Sequence, residues 1–271
     1  MLRSSSITFH TYTLEQVCKL NVELGFDALE LWKEHLLGVK TPELARQFSS
    51  FAKSIGLNIC ALNNVDSKNF RPFDSEEHYA LTLASLKSDV DLAESLSIKD
   101  VFAFEGRDPR SGNGDKSVLL KTLSRLYGEA IEYSSKKGIR FLIEPHPFTI
   151  GMNLDFLLKL CDSQDPNYFG VLYDCSHFAV GKPTGYIDAI KTLGKRIKHI
   201  HFSDSDKRTS ELHYPPGMAE LDIDGIISAF KQISYDGTIT LDLWGYPLPI
   251  EGSKIAMGKL KDAISTLSIA N

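Results

Sequence analysis

Short apolar or β-branched runs alternate eight times with stretches of helical periodicity, a pattern that predicts parallel strands joined by crossover helices. The strands are expected to begin near Ser6, Ala28, Leu57, Asp100, Arg140, Phe169, Ile197 and Gly237. Between them apolar residues recur three and four apart, as in Leu14, Val17 and Cys18, then Leu44, Phe48 and Phe51, then Leu119, Leu123 and Leu126, then Ile223, Ile226 and Ile227. Gly25, Gly56, Gly138, Gly194 and Gly237 each fall between a helical stretch and the next strand, where left-handed C-terminal caps are expected. The longest polar connections, 63–75, 106–116 and 203–220, follow strands rather than precede them. Eight βα units in 271 residues predict an α/β fold, a single (β/α)8 TIM barrel forming one domain over residues 1–271. In such barrels the loops after the strands carry the chemistry, which makes the polar Arg107–Asp115 segment the candidate lid.

Composition narrows the partners. A formal charge of −5 gives no basic face for a phosphate backbone, so nucleic acid is not an expected partner. The first fifteen residues are too polar for a signal peptide and no apolar stretch approaches membrane-spanning length, so neither export nor a membrane is expected. Cys18, Cys60, Cys161 and Cys175 lack C-x-x-C spacing and lie in apolar surroundings, which suits buried thiols in a reducing cytoplasm. Apolar positions on the outer helices fit either packing or assembly into a homo-oligomer.

Four strand runs end in polar side chains: Phe141-Leu-Ile-Glu144, Val171-Leu-Tyr-Asp174, His199-Ile-His201 and Ile239-Thr-Leu-Asp242. Carboxylates and an imidazole delivered by successive strand ends can hold one divalent cation in a barrel mouth. Pro145 fixes the end of the strand at Glu144. His199 and His201 share a strand face, and the one nearer the C-terminal end, His201, is the expected ligand, with His199 packed in the barrel. Glu30 and Trp32, at the end of the second strand, are expected to offer a small-molecule ligand a carboxylate and a stacking surface. His146, with His10 and Glu105, is a candidate pocket liner. Lys207 and Arg208 are candidates for binding an anionic group.

Several stretches together resemble the xylose isomerase-like TIM-barrel superfamily, in its sugar phosphate isomerase/epimerase branch. They are Leu24-Gly-Phe-Asp-Ala-Leu-Glu30-Leu, Leu142-Ile-Glu-Pro-His146, Leu172-Tyr-Asp-Cys-Ser-His177, Arg196-Ile-Lys-His-Ile-His201-Phe-Ser-Asp204, and Pro216-Gly-Met-Ala-Glu-Leu-Asp222 leading to Tyr235-Asp-Gly237-Thr-Ile-Thr-Leu-Asp242. The resemblance implies one divalent cation, manganese, magnesium, cobalt or zinc, held by Glu144, Asp174, His201 and Asp242, with the first and last carboxylates also moving protons. It implies substrate binding by His177 and places Lys207 and Arg208 where the family carries a basic residue. Two positions depart from the family pattern: Asp242 stands where a glutamate is usual, and Ala219 replaces the second glycine of a Pro-Gly-x-Gly turn.

The chemistry expected of this set is isomerisation or epimerisation of a small sugar, sugar phosphate or keto-polyol through an enediolate, with Glu144 as base. Dehydration would use the same enediolate. Two rivals stand beside it. One is an apurinic endonuclease-like metal hydrolase, echoed by Asp174-x-x-His177, His201 and Glu211-Leu-His213, though the third and fourth strands supply no histidine for it. The other is a non-catalytic barrel that binds a metabolite.

Overall fold

Eight parallel strands close into a barrel, each bonded to the next in chain order and β8 back to β1. A computed structural model of the chain describes residues 1–39, 41–64, 70–106 and 115–269. The strands are β1 (Arg3–Ser5), β2 (Ala28–Trp32), β3 (Asn58–Asn63), β4 (Asp100–Ala103), β5 (Arg140–Ile143), β6 (Phe169–Asp174), β7 (Ile197–Phe202) and β8 (Thr238–Leu241). Around them run α1 (Leu14–Leu24), α2 (Pro42–Ser54), α3 (Glu76–Leu96), α4 (Lys116–Ser134), α5 (Leu154–Asp162), α6 (Cys175–Gly181), α7 (Tyr186–Leu193), α8 (Ile223–Gln232) and α9 (Pro249–Leu267). The expected (β/α)8 barrel is therefore the fold.

Seven strands start within a residue or so of their expected positions. The first does not: β1 ends at Ser5, and Ser6–Phe9 turns into a 3-10 helix. Side chains replace the ladder there, since the Ser6 hydroxyl accepts the Trp32 N–H at 2.7 Å and the Thr8 hydroxyl accepts the Leu243 N–H at 3.0 Å. Gly237 also departs from expectation. It has no left-handed backbone; a Cβ there would strike the Lys198 carbonyl oxygen and the Tyr235 ring, so close packing requires the glycine. Ser234 makes the left-handed turn after α8 instead, at φ 51°. The proposed lid, Arg107–Asp115, lies outside the described residues up to its last member, Asp115, whose carboxylate caps α4.

Two apolar regions fix the strands. Outward-facing residues such as Leu29, Leu31, Val101, Phe141, Val171 and Tyr173 are buried against the helices. Inside the barrel, Ala61, Phe102, Leu142 and Leu172 form a separate plug. The polar strand ends stand on that plug, with the Phe102 ring 4.8 Å from the His199 ring and 5.6 Å from the His201 ring. Among the described residues no helix is long and apolar enough to cross a membrane.

Candidate active site

Backbone geometry delivers the four polar residues to one place. Glu144 lies one residue beyond β5, and its N–H still bonds the Ala103 carbonyl at 3.0 Å, so its side chain keeps the inward strand direction. Asp174 ends β6 and caps α6, accepting the His177 N–H on Oδ1 at 2.7 Å. His201 pairs in register with Asp174 on one side and Thr240 on the other. Asp242 follows β8, with its N–H 3.3 Å from the Phe202 carbonyl.

The three carboxylates converge on Nδ1 of His201. Glu144 Oε1 lies 3.1 Å from it, Asp174 Oδ2 3.4 Å and Asp242 Oδ2 3.6 Å. Asp242 thus reaches the cluster despite its shorter side chain. All four are buried; Glu144 keeps 4% and Asp242 3% of their surface, whereas Asp174 keeps none. The electrostatics follow from packing acids against imidazoles. Burial disfavours charge on Asp174, yet the imidazoles of His177, His213 and His201 hold it well below the ordinary carboxylate range. Burial also opposes charge on His201, and Glu30 and Glu144 outweigh it and raise that imidazole well above its usual value. For His177 burial prevails and its imidazole is pushed well below.

The other expected residues fall into two groups. His177 belongs to the cluster, with Nδ1 3.7 Å from Glu144 Oε1. His146 is half-buried, its Nδ1 2.9 Å from the Glu144 carbonyl and its ring 4.4 Å from that of His177. Trp32 stands at the end of β2 with its ring 6.1 Å from Trp244, whose ring is 4.9 Å from exposed His10. Glu30 differs from expectation: it is fully buried beneath His201, with Oε1 3.0 Å from Nε2 of that ring, and presents no surface to a sugar. The basic pair is also engaged elsewhere. Lys207 Nζ sits 5.4 Å over the Tyr186 ring, and Arg208 lies 3.8 Å from Glu220. His199 is packed inside the barrel as expected, with Nδ1 2.5 Å from Thr238 Oγ1.

His213 is a site residue that strand periodicity could not find, because it lies in the irregular connection from β7 to α8. That connection folds back through paired bonds between Asp204 and Tyr214. It is tied to the end of β8 by the His213 N–H on the Trp244 carbonyl at 2.9 Å and by Trp244 Nε1 on Glu211 at 2.9 Å. His213 Nδ1 thereby comes within 3.3 Å of Asp242 Oδ1 and 3.8 Å of Asp174 Oδ2. Burial lowers its imidazole, but Asp174 and Asp242 more than compensate and raise it to about 9. The only sequence signal was the Glu211-Leu-His213 echo of the nuclease pattern.

These donors suit a divalent cation. Three buried carboxylates outnumber the two imidazoles, His201 and His213, that their neighbours keep cationic, and desolvated charge without a counterion is unfavourable. Asp174 Oδ2 is buried without a hydrogen-bond partner, and Glu144, Asp174 and His201 place donor atoms within 4.8 Å of one another. Carboxylate and imidazole together fit manganese, zinc, cobalt or magnesium.

The profile of the xylose isomerase-like TIM barrel family matches residues 18–263. The chain belongs to that family. An inosose isomerase from Bacillus velezensis is 23% identical over 257 residues, 89% of this chain and 87% of that protein. An uncharacterized protein from Methanocaldococcus jannaschii is 23% identical over 166 residues, 60% of this chain; the match spans only 56% of that relative. Among solved structures, a D-tagatose 3-epimerase-like protein superposes with a TM-score of 0.80 at 20% identity, covering 97% of this chain and 98% of that one. The IolI protein with a zinc atom superposes with a TM-score of 0.75 at 17% identity, covering 98% of each chain. The family resemblance read from the motifs is thus borne out.

Proposed function

We propose that this protein is a divalent-metal-dependent isomerase or epimerase acting on a small sugar or keto-polyol. The observation that carries the reading is the convergence of Glu144, Asp174 and Asp242 on Nδ1 of His201 within 3.1–3.6 Å. Those four residues would hold the cation, which would supply Lewis-acid stabilisation of negative charge on substrate oxygens. Glu144 and Asp242 are the carboxylates that keep some exposure to the mouth, and they come from β5 and β8, well separated around the ring. Glu144 removes the proton α to the carbonyl. Donation of a different proton by a protonated Asp242 from the other face gives an epimer and leaves Glu144 protonated and Asp242 ionised, to be reset by exchange with solvent, whereas transfer of the abstracted proton from Glu144 to the neighbouring carbon gives an isomer. His177 and His146 line the same side of the mouth and bind substrate hydroxyls, while Trp32 and Trp244 offer the apolar face of the substrate a surface. Lys207 and Arg208 would have to leave Tyr186 and Glu220 to meet a phosphate, which favours an uncharged polyol. Isomerase and epimerase are also what the related proteins are named for.

The test is metal analysis with deuterium exchange from solvent into ketoses, their phosphates and keto-inositols, with manganese added. About one metal per chain and exchange into one substrate class are expected, and Glu144→Gln should slow exchange by roughly 10²–10⁴-fold. Exchange that survives in the variant removes Glu144 as the base. A second reading rests on a second donor group, Asp174, His177 and His213, whose ligand atoms also lie within 4.8 Å of one another. It favours a hydrolase with more than one metal, and cleavage of abasic DNA with several zinc ions per chain would establish it.

A further inference from the structure

Glu30 is a carboxylate with no surface at all, set among four side chains that aim at it from three strands. Its Oε1 lies 3.0 Å from His201 Nε2, accepts the Ser5 hydroxyl at 3.4 Å and the Asn63 amide at 3.5 Å, and its Oε2 lies 3.4 Å from His199 Nε2. His199 is fixed in turn by Thr238. A buried acid with partners this specific is expensive to keep unless it serves another group. The group it serves is His201, whose opposite nitrogen faces Glu144, Asp174 and Asp242.

We propose that Glu30 is a positioning residue that orients His201 as a ligand, a reading that rests on the metal site proposed above. An ionised carboxylate accepts hydrogen bonds and donates none, so its partner nitrogen must carry hydrogen. With hydrogen on Nε2, the Nδ1 lone pair points into the carboxylate cluster. The ring cannot turn over without setting a lone pair against Glu30, and a carboxylate behind an imidazole ligand also makes that ligand more basic. The donor at the centre of the site is therefore selected from beneath, by a residue that substrate never touches.

Zinc affinity, measured by competition with a colorimetric chelator, tests the role apart from turnover. Glu30→Gln keeps the shape and one acceptor but removes the charge, and is expected to weaken zinc binding by about 10–100-fold. The Co(II) absorption bands of the variant should shift as well, which a purely structural role would not require. A dissociation constant within about twofold of the wild type would overturn the proposal. If the variant fails to fold, nitrogen-15 NMR of the zinc-loaded wild type decides: hydrogen on His201 Nε2 is expected, and hydrogen on Nδ1 overturns it. Wild-type protein that takes up no metal defeats this proposal and the metal reading together, whereas metal binding indifferent to Glu30 defeats this one alone.

Discussion

Replacing Asp204 by Asn exchanges one oxygen for an amide nitrogen, yet it should destabilise the protein far more than a surface substitution. The Asp204 carboxylate is fully buried and accepts four backbone N–H groups: Ser205 at 2.8 Å and Leu221 at 2.9 Å on Oδ1, with Gly217 and Ala219 at 2.9 Å on Oδ2. An Asn oxygen can keep one of these pairs. The other two N–H groups would then face an NH2 that can only donate. Each buried donor left without an acceptor costs about 1–3 kcal/mol, so the loss should be roughly 4 kcal/mol. At about 2–4 °C per kcal/mol for a chain of this size, the unfolding midpoint should fall by roughly 10 °C. Urea unfolding followed by the fluorescence of Trp32 and Trp244, both at the barrel mouth, measures the change. A shift below about 0.5 kcal/mol, the range of ordinary surface substitutions, would refute the claim that Asp204 organises the connection from β7 to α8.

Three further outcomes are expected. Zinc or manganese at about 100 times its dissociation constant should stabilise the fold by roughly 2.7 kcal/mol, reversibly with chelator; Asp174→Asn, which keeps the cap on α6, should abolish that shift in calorimetry. Gly245→Ala places a Cβ against the Glu211 carbonyl oxygen at φ 72°, so it should displace the segment carrying Glu211 and His213 and lower stability by about 2 kcal/mol or more; unchanged urea unfolding would contradict this. Burial raises the Glu105 carboxyl above its ordinary 4.5, so the folded state holds a proton that the unfolded state releases. That contribution is complete below 4.5 and fades as pH rises through the folded value, and Glu105→Gln should flatten this part of the stability curve and raise the midpoint at pH 7; an unchanged slope would exclude it.

Period-two alternation made Glu144, Asp174, His201 and Asp242 legible, because a polar residue at an inward strand end has few other places to go. The same rule failed for Glu30. Alternation tells which face a side chain takes but not its depth or what it meets across a closed barrel, and the contact between Glu30 and His201 joins positions 171 residues apart. Lys207 and Arg208 illustrate another gap: a basic pair in a polar connection carries no record of its local partners, here Tyr186 and Glu220. His213 was hidden for a related reason, since no periodicity governs 203–222 and bonds to Asp204 and Trp244 aim it.

The same connection explains how an aspartate reaches the cluster where the family pattern has the longer acid. Asp242 Oδ1 accepts the Trp244 N–H at 2.9 Å and faces His213 Nδ1 at 3.3 Å, which leaves Oδ2 directed at His201. A short side chain has two torsions, and two partners on one oxygen are enough to fix both. What the residue lacks in reach it gains in orientation, but only while His213 is held in place. The β7–α8 connection is tied to Asp204 below and to Trp244 beside it, so the geometry of a strand-end acid depends on a loop whose anchors lie outside the metal site. Substitutions at Asp204 or Gly245 should therefore act on the site through Asp242, without touching any of the four central residues.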